Sequence, residues 1–108
     1  MTVMVTYKTE NRKGEHWAVV NGIKYPICNY AGVTDSHYRE QFPQPRKNVK
    51  TVLALLTTTE HVIFTASNQN PGARQRNEFV GLFRIANVSL SAENVLEFDI
   101  LEKVCKIQ

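Results

Sequence analysis

The dipeptide Asn21-Gly22 constrains the fold more than any other feature, because it separates two β-forming stretches, residues 16–20 and 23–27. A two-residue type I′ turn needs positive φ at both central positions, and Asn and Gly tolerate that conformation best. The sequence therefore predicts a β-hairpin whose register pairs Val20 with Ile23 and Trp17 with Pro26. Alternation along the strands predicts a buried face made of Ala18, Val20, Ile23, Tyr25 and Ile27.

Four further stretches have the composition of strands. Residues 2–8 and 61–67 are rich in β-branched and aromatic side chains, and the second stretch is apolar on both faces, which favours an interior position in a sheet. Residues 79–90 predict a strand with a bulge or close backbone approach at Gly81. The last strand alternates from Leu96 to Ile100, and we expect a bulge or strand end near Leu101-Glu102 because continued alternation would bury Glu102. Pro26 donates no ladder hydrogen bond and predicts a strand edge or end at its position.

Two stretches bear on the helix content. Residues 35–42 predict a short helix, since Tyr38 and Phe42 are spaced i,i+4 and Pro43 stops the element. Residues 49–57 fit either state, because their apolar spacing is helical while their Val and Thr content favours a strand. We interpret them as a strand. The expected fold class is mainly β, a β-rich α+β domain with a small curled antiparallel sheet or partly open barrel of about six strands and one short helix.

A chain of 108 residues supports one hydrophobic core, so residues 1–108 are expected to form a single compact domain. No stretch approaches the roughly 18 apolar residues of a membrane span, and the N-terminus lacks the layout of a signal peptide. We therefore expect a cytoplasmic protein with no membrane partner. Cys28 and Cys105 have no neighbouring cysteine, which excludes a local CxxC pair or zinc knuckle and predicts free thiols.

The formal net charge of +3 hides a gradient along the chain. Residues 1–50 carry eight Lys/Arg and four Asp/Glu, whereas residues 89–108 carry two Lys/Arg and four Asp/Glu. Such an asymmetry suits a polyanion or an acidic protein surface as partner, although many proteins of similar isoelectric point bind neither.

No pattern in the chain is typical of an enzyme. The three histidines, His16, His37 and His61, have no metal-ligand spacing, and the glutamates before His16 and His61 would point to the opposite face of a strand. No nucleophile elbow, phosphate loop or dinucleotide motif occurs. We therefore expect no catalytic residue, no metal and no cofactor. A metal-independent nuclease, with a histidine as base and an arginine or lysine on the phosphate, is kept as an alternative.

Basic clusters on predicted loops indicate a binding function instead. The expectation is a small non-catalytic protein that binds RNA or single-stranded DNA through basic loops. Its predicted contact residues are Arg46, Lys47, Lys50, Arg74, Arg76 and Trp17. The rival hypothesis is a small inhibitor or adaptor that binds another protein, since an edge strand and an arginine-bearing loop are also docking features.

Residues 79–88 are similar to a strand of PUA-like barrels, a group that includes RNA-binding modules. The likeness covers about a tenth of the chain and transfers no site residue.

Overall fold

The computed structural model describes residues 2–3, 16–42, 47–67 and 77–107. Within these ranges it contains eight strands, one α-helix and a 3-10 turn at Tyr30–Gly32. The elements are β1 (Thr2–Val3), β2 (Trp17–Val20), β3 (Ile23–Asn29), β4 (Val33–Thr34), β5 (His37–Gln41), α1 (Lys47–Thr59), β6 (His61–Ser67), β7 (Asn77–Leu90) and β8 (Val95–Ile107).

The hairpin predicted around Asn21-Gly22 is confirmed. β2 and β3 pair in the expected register, and both turn residues have positive φ, 50° at Asn21 and 79° at Gly22. The buried face is confirmed at Ala18, Val20 and Ile27, while Ile23 beside the turn is 50% exposed.

The strands form one open sheet in the order β2-β3-β6-β7-β8-β5-β4, with β1 beside the end of β8. The β3–β6 and β1–β8 pairs are parallel and the others are antiparallel. The expected fold class, a β-rich curled sheet with one helix, is confirmed, with a mixed sheet rather than a purely antiparallel one. Pro26 lies outside the β3–β6 ladder, which begins only at Ile27. The predicted strand edge at this position therefore exists on the β6 side.

The helix predicted over residues 35–42 is wrong. Asp35 and Ser36 have φ of 50° and 61° and form the turn between β4 and β5. β5 then pairs with five residues of β8, which buries Tyr38 almost completely. A two-turn helix has too few internal hydrogen bonds to compete with that ladder.

The strand predicted over residues 49–57 is also wrong, because this stretch belongs to α1. Val49, Val52 and Leu56 form the buried face of the helix. The threonines that favoured a strand donate their hydroxyl groups to backbone carbonyls four residues earlier, as Thr57 does to Leu53 at 2.8 Å. The helical spacing of the apolar residues was the correct signal.

The strands predicted over residues 61–67 and 79–90 and at the end of the chain are confirmed as β6, β7 and β8. β6 lies inside the sheet, between β3 and β7. Both bulges occur where they were expected. Phe64 faces Gly81 while Thr65 faces Phe79, and Ile85 faces Ile100 while Arg84 faces Glu102. These interruptions let the long strands β7 and β8 bend.

The bent sheet has an apolar cluster on each face, since Val62 and Phe64 belong to one and Ile63 to the other. The helix-side core consists of Cys28, Tyr38, Val52, Leu56, Val62, Phe64, Ile85, Leu96 and Phe98. The second core consists of Ala18, Val20, Ile27, Ile63, Leu82, Cys105 and Ile107.

The remaining predictions on strands and loops concern segments outside the described ranges. They are residues 4–8 of the predicted N-terminal strand and the predicted loop that carries Arg74 and Arg76. In the part of the chain that the structure describes, no helix is long and apolar enough to cross a membrane.

Candidate nucleic-acid interface

Three of the six predicted contact residues belong to described elements. Trp17 begins β2, and Lys47 and Lys50 lie in the first turn of α1. Arg46, Arg74 and Arg76 lie outside the described residues. The common binding surface of the six residues therefore stays a prediction.

The first turn of α1 is positively charged and carries no acidic residue. Lys50 is exposed, and Val49 and Val52 hold this end of the helix against the sheet. The N-terminus of a helix already carries about half a positive charge from its aligned peptide dipoles, so a lysine there costs stability and attracts anions. This end of α1 is electrostatically suited to a phosphate backbone.

Trp17 is half-buried and has a cation over its ring. The Lys24 Nζ atom lies 4.0 Å from the ring centroid, on the face of the hairpin opposite the second core. An indole with a lysine on its face can exchange that cation–π contact for stacking with a base while the lysine moves to a phosphate.

Tyr30 offers a second aromatic ring at the end of the sheet where the segment 68–76 begins and ends. Ser67 and Asn77, which flank that segment, are Cα partners, and Asn29 pairs with Thr65 two residues earlier in β6. Tyr30 follows Asn29 directly, is 41% exposed, and contacts Phe64 edge-to-face at 5.5 Å. The chain that carries Arg74 and Arg76 therefore leaves and re-enters the sheet near an exposed aromatic ring.

The described ranges have no excess of positive charge. They carry seven Lys/Arg and eight Asp/Glu, whereas the remaining segments carry six Lys/Arg and two Asp/Glu. Some cations of the sheet are also matched locally: Arg84 Nε donates to Glu102 at 2.8 Å, and Arg39 lies 3.9 Å from Glu97. The positive excess of the protein therefore belongs to the residues outside the described ranges.

His37 lies on the sheet surface between two carboxylates. Its Nδ1 and Nε2 atoms are 2.9 Å from Asp99 and 3.0 Å from Glu97, and Asn87 donates to the second oxygen of Asp99 at 2.8 Å. These hydrogen bonds to Asp99 and Glu97 raise the pKa of His37, and the bonds from Asn87 and His37 lower the pKa of Asp99. In the protonated form both ring nitrogens donate to these carboxylates, and the ring then has no lone pair for use as a general base.

His61 and Arg84 are brought together although the sequence has no spacing signature that connects a histidine with an arginine. They are directly opposite each other on β6 and β7. They are separated by 22 residues in the sequence, and only the β6–β7 register shows that they are neighbours. The surroundings of His61 are set by this strand pairing and not by Glu60, the residue before it in the sequence.

The cysteines are free and buried, and burial raises the pKa of Cys28 to about 12. A thiol in that environment is neither a nucleophile nor a metal ligand at neutral pH. Among the described residues, no group of three or more His, Cys, Asp and Glu side chains is arranged to hold a metal ion.

No protein-family model, curated protein or solved structure matches this chain significantly. The likeness of residues 79–88 to PUA-like barrels thus gains no support from these comparisons.

Proposed function

We propose that the protein binds RNA or single-stranded DNA through its basic connecting segments and the N-terminus of α1. The observation that carries the proposal is the uncompensated positive first turn of α1, with Lys47 and Lys50 and no acidic residue. A helix N-terminus with lysines in its first turn is less stable than one with a carboxylate there. Its positive charge and free backbone N–H groups favour a bound anion. Arg46 directly precedes this turn.

Aromatic side chains complete the proposed interface. Trp17 with Lys24, and Tyr30 beside the segment that carries Arg74 and Arg76, supply rings on which bases can stack. Stacking of this kind contributes about 1–3 kcal/mol per base and discriminates little between bases. The proposal therefore includes low sequence specificity. It also includes a cytoplasmic location, where the reducing environment keeps thiols such as Cys28 and Cys105 free.

Salt dependence is the central test. A fluorescein-labelled 12-nucleotide RNA and its DNA equivalent are titrated with the protein, and anisotropy is measured at 50 and 200 mM NaCl. Each phosphate neutralised on a single strand contributes about −0.7 to the slope of log K against log salt. Five engaged cations therefore predict a slope of about −3.5, which weakens binding about 100-fold between the two salt concentrations.

Charge-removing variants locate the interface. Lys50→Ala and Arg74→Ala should each reduce the magnitude of the slope by about 0.7. Arg39→Ala is the control, because it removes one exposed cation that lies 3.9 Å from Glu97 and is not among the predicted contact residues. Absence of binding at 50 mM NaCl refutes the proposal, and so does a slope that changes only in Arg39→Ala.

One observation favours a second candidate, an adaptor or inhibitor that binds another protein. β2 is the last strand in the order of the sheet, and within the described ranges residues 18–20 pair only with β3. Such an edge can accept an additional strand from a partner. A protein cross-linked to residues 17–20 from cell extract, with no oligonucleotide binding at low salt, would favour this candidate over the first.

A further inference from the structure

Three polar side chains lie in a row across adjacent strands at the margin of the second core. His61 of β6 faces Arg84 of β7, which in turn faces Glu102 of β8. Ile63, two residues after His61, belongs to the second core, so the row shares the face of that core. Tyr25 of β3 extends the row, with its ring centroid 5.8 Å from that of His61.

The His61 ring is held in one orientation by the end of α1. Its Nδ1 atom lies 2.7 Å from the carbonyl oxygen of Thr59 and must donate, because a carbonyl only accepts. The Thr59 hydroxyl donates to Leu55 O at 2.7 Å and accepts from the His61 N–H at 3.3 Å, which fixes the backbone. The Nε2 atom, on the other side of the ring, is therefore the nitrogen that can meet a ligand.

Arg84 has N–H donors that make no hydrogen bond to the described residues. Its Nε donates to Glu102 at 2.8 Å, and its Nη groups have no hydrogen-bond partner among the described residues. The side chain is 48% exposed. Directly opposite residues of an antiparallel pair have Cβ atoms about 5 Å apart, so His61 Nε2 and the Arg84 fork can reach the same small anion.

The surroundings of the row are apolar. Ile27, Ile63 and Leu82 form the next layer and are buried. Tyr25 packs against the second core, and Ile23, two residues before it on the same face, is 50% exposed. A site with an apolar wall, an aromatic ring and one cationic end suits a ligand with an aromatic ring and an anionic group.

We infer that this row is a nucleotide-binding site. The phosphate accepts hydrogen bonds from the Nη groups of Arg84 and, in its singly protonated form, donates its P–OH to His61 Nε2. The base packs against Tyr25 and Ile23. Trp17 and Lys24 of the proposed interface lie on the face of the hairpin opposite Tyr25, and Ser67 lies about 20 Å from His61 at the other end of β6. The same chemistry is presented by a free mononucleotide and by the terminal nucleotide of a strand.

The test is an NMR titration of the protein labelled with ¹⁵N, using uridine monophosphate and, separately, inorganic phosphate. We expect saturable shifts of the His61 ring and Arg84 Nε resonances with both ligands, and tighter binding of the nucleotide. Arg84→Lys keeps the charge but loses the fork, and should weaken nucleotide binding at least about tenfold, the effect of one charge-assisted hydrogen bond. Tyr25→Leu should weaken the nucleotide but not inorganic phosphate.

Glu102→Gln provides a variant that should gain affinity. The amide oxygen can still accept from Arg84 Nε, while the negative charge that repels a phosphate is gone. We expect binding to tighten several-fold, with Arg39→Ala as the unaffected control. A 5′-phosphorylated oligonucleotide is compared with the free nucleotide at this site. If the oligonucleotide binds more tightly, the ligand is the end of a strand; if the free nucleotide binds more tightly, the ligand is a free nucleotide.

Two results would overturn the inference: no shift of His61 or Arg84 at 10 mM ligand, or equal affinity of Arg84→Lys, Glu102→Gln and the unmodified protein. This titration is read at His61 and Arg84, neither of which belongs to the proposed interface. If no ligand binds at this row, the oligonucleotide-binding proposal is unaffected. If no oligonucleotide binds to the protein, the mononucleotide titration still tests this site.

Discussion

Gly81 provides the most direct test of how the sheet is bent. It lies at the bulge between β6 and β7 with φ of +153°, a value that residues with a side chain rarely adopt. A Cβ atom added here would lie 2.7 Å from the carbonyl oxygen of Cys105 and 2.8 Å from Cε of Lys103. The lysine can move, but the carbonyl belongs to β8 and can move only with that strand.

The expected cost of Gly81→Ala has two parts. The unfavourable backbone conformation costs about 1–3 kcal/mol, and forcing an extra methyl group into a closely packed position adds about 1–3 kcal/mol. We therefore expect the free energy of unfolding to fall by about 2–6 kcal/mol, a large part of the 5–15 kcal/mol typical of a domain.

Gly22→Ala is the matched control for this measurement. Gly22 also has positive φ, but no atom lies within 4 Å of an added Cβ. It should lose only about 1–2 kcal/mol, the conformational cost alone. Urea denaturation followed by circular dichroism gives both values. If Gly81→Ala loses no more stability than Gly22→Ala, the close approach of β7 and β8 does not constrain the fold and the reasoning is wrong.

Three other perturbations have outcomes that follow from local geometry. Asp99 and Glu97 raise the pKa of His37 above 6.5, so the stability from this imidazolium is complete below pH 6.5 and is lost as the pH rises through the raised pKa. Urea denaturation at pH 6 and pH 9 should show a smaller stability difference for His37→Gln than for the unmodified protein. Leu56→Ala should cost about 2–5 kcal/mol, measured in the same way, because the side chain is fully buried in the helix-side core. Ser36→Gly should raise the thermal midpoint, since relief of φ at 61° contributes about 1 kcal/mol; an unchanged midpoint would show that the turn is unstrained.

The predictions that succeeded rest on local chemistry. The Asn21-Gly22 hairpin and its register follow from the φ angles that two residues tolerate. The bulge near Leu101 follows from the conflict between strict alternation and the charge of Glu102. In both cases a few neighbouring residues determine the backbone, and no distant contact is needed to decide the outcome.

The predictions that failed concern stretches whose local preferences are balanced. Residues 35–42 satisfy a helical pattern, but β8 supplies a five-residue ladder that buries Tyr38. Residues 49–57 contain strand-forming threonines, but the helix-side core needs a covering layer, and Val52 and Leu56 supply it. Tertiary burial outweighs an intrinsic preference of a few tenths of a kcal/mol per residue.

The sequence alone determined that this protein is a β-rich domain with a defined hairpin, free cysteines and an excess of positive charge toward its N-terminal half. Only the tertiary structure decided which chemistry-bearing side chains meet. His61 and Arg84 are partners because β6 and β7 pair in one register, and His37 lies between two carboxylates because β5 pairs with β8. Such relations depend on contacts between strands far apart in the chain, where residue preferences carry no information about which strand is the neighbour.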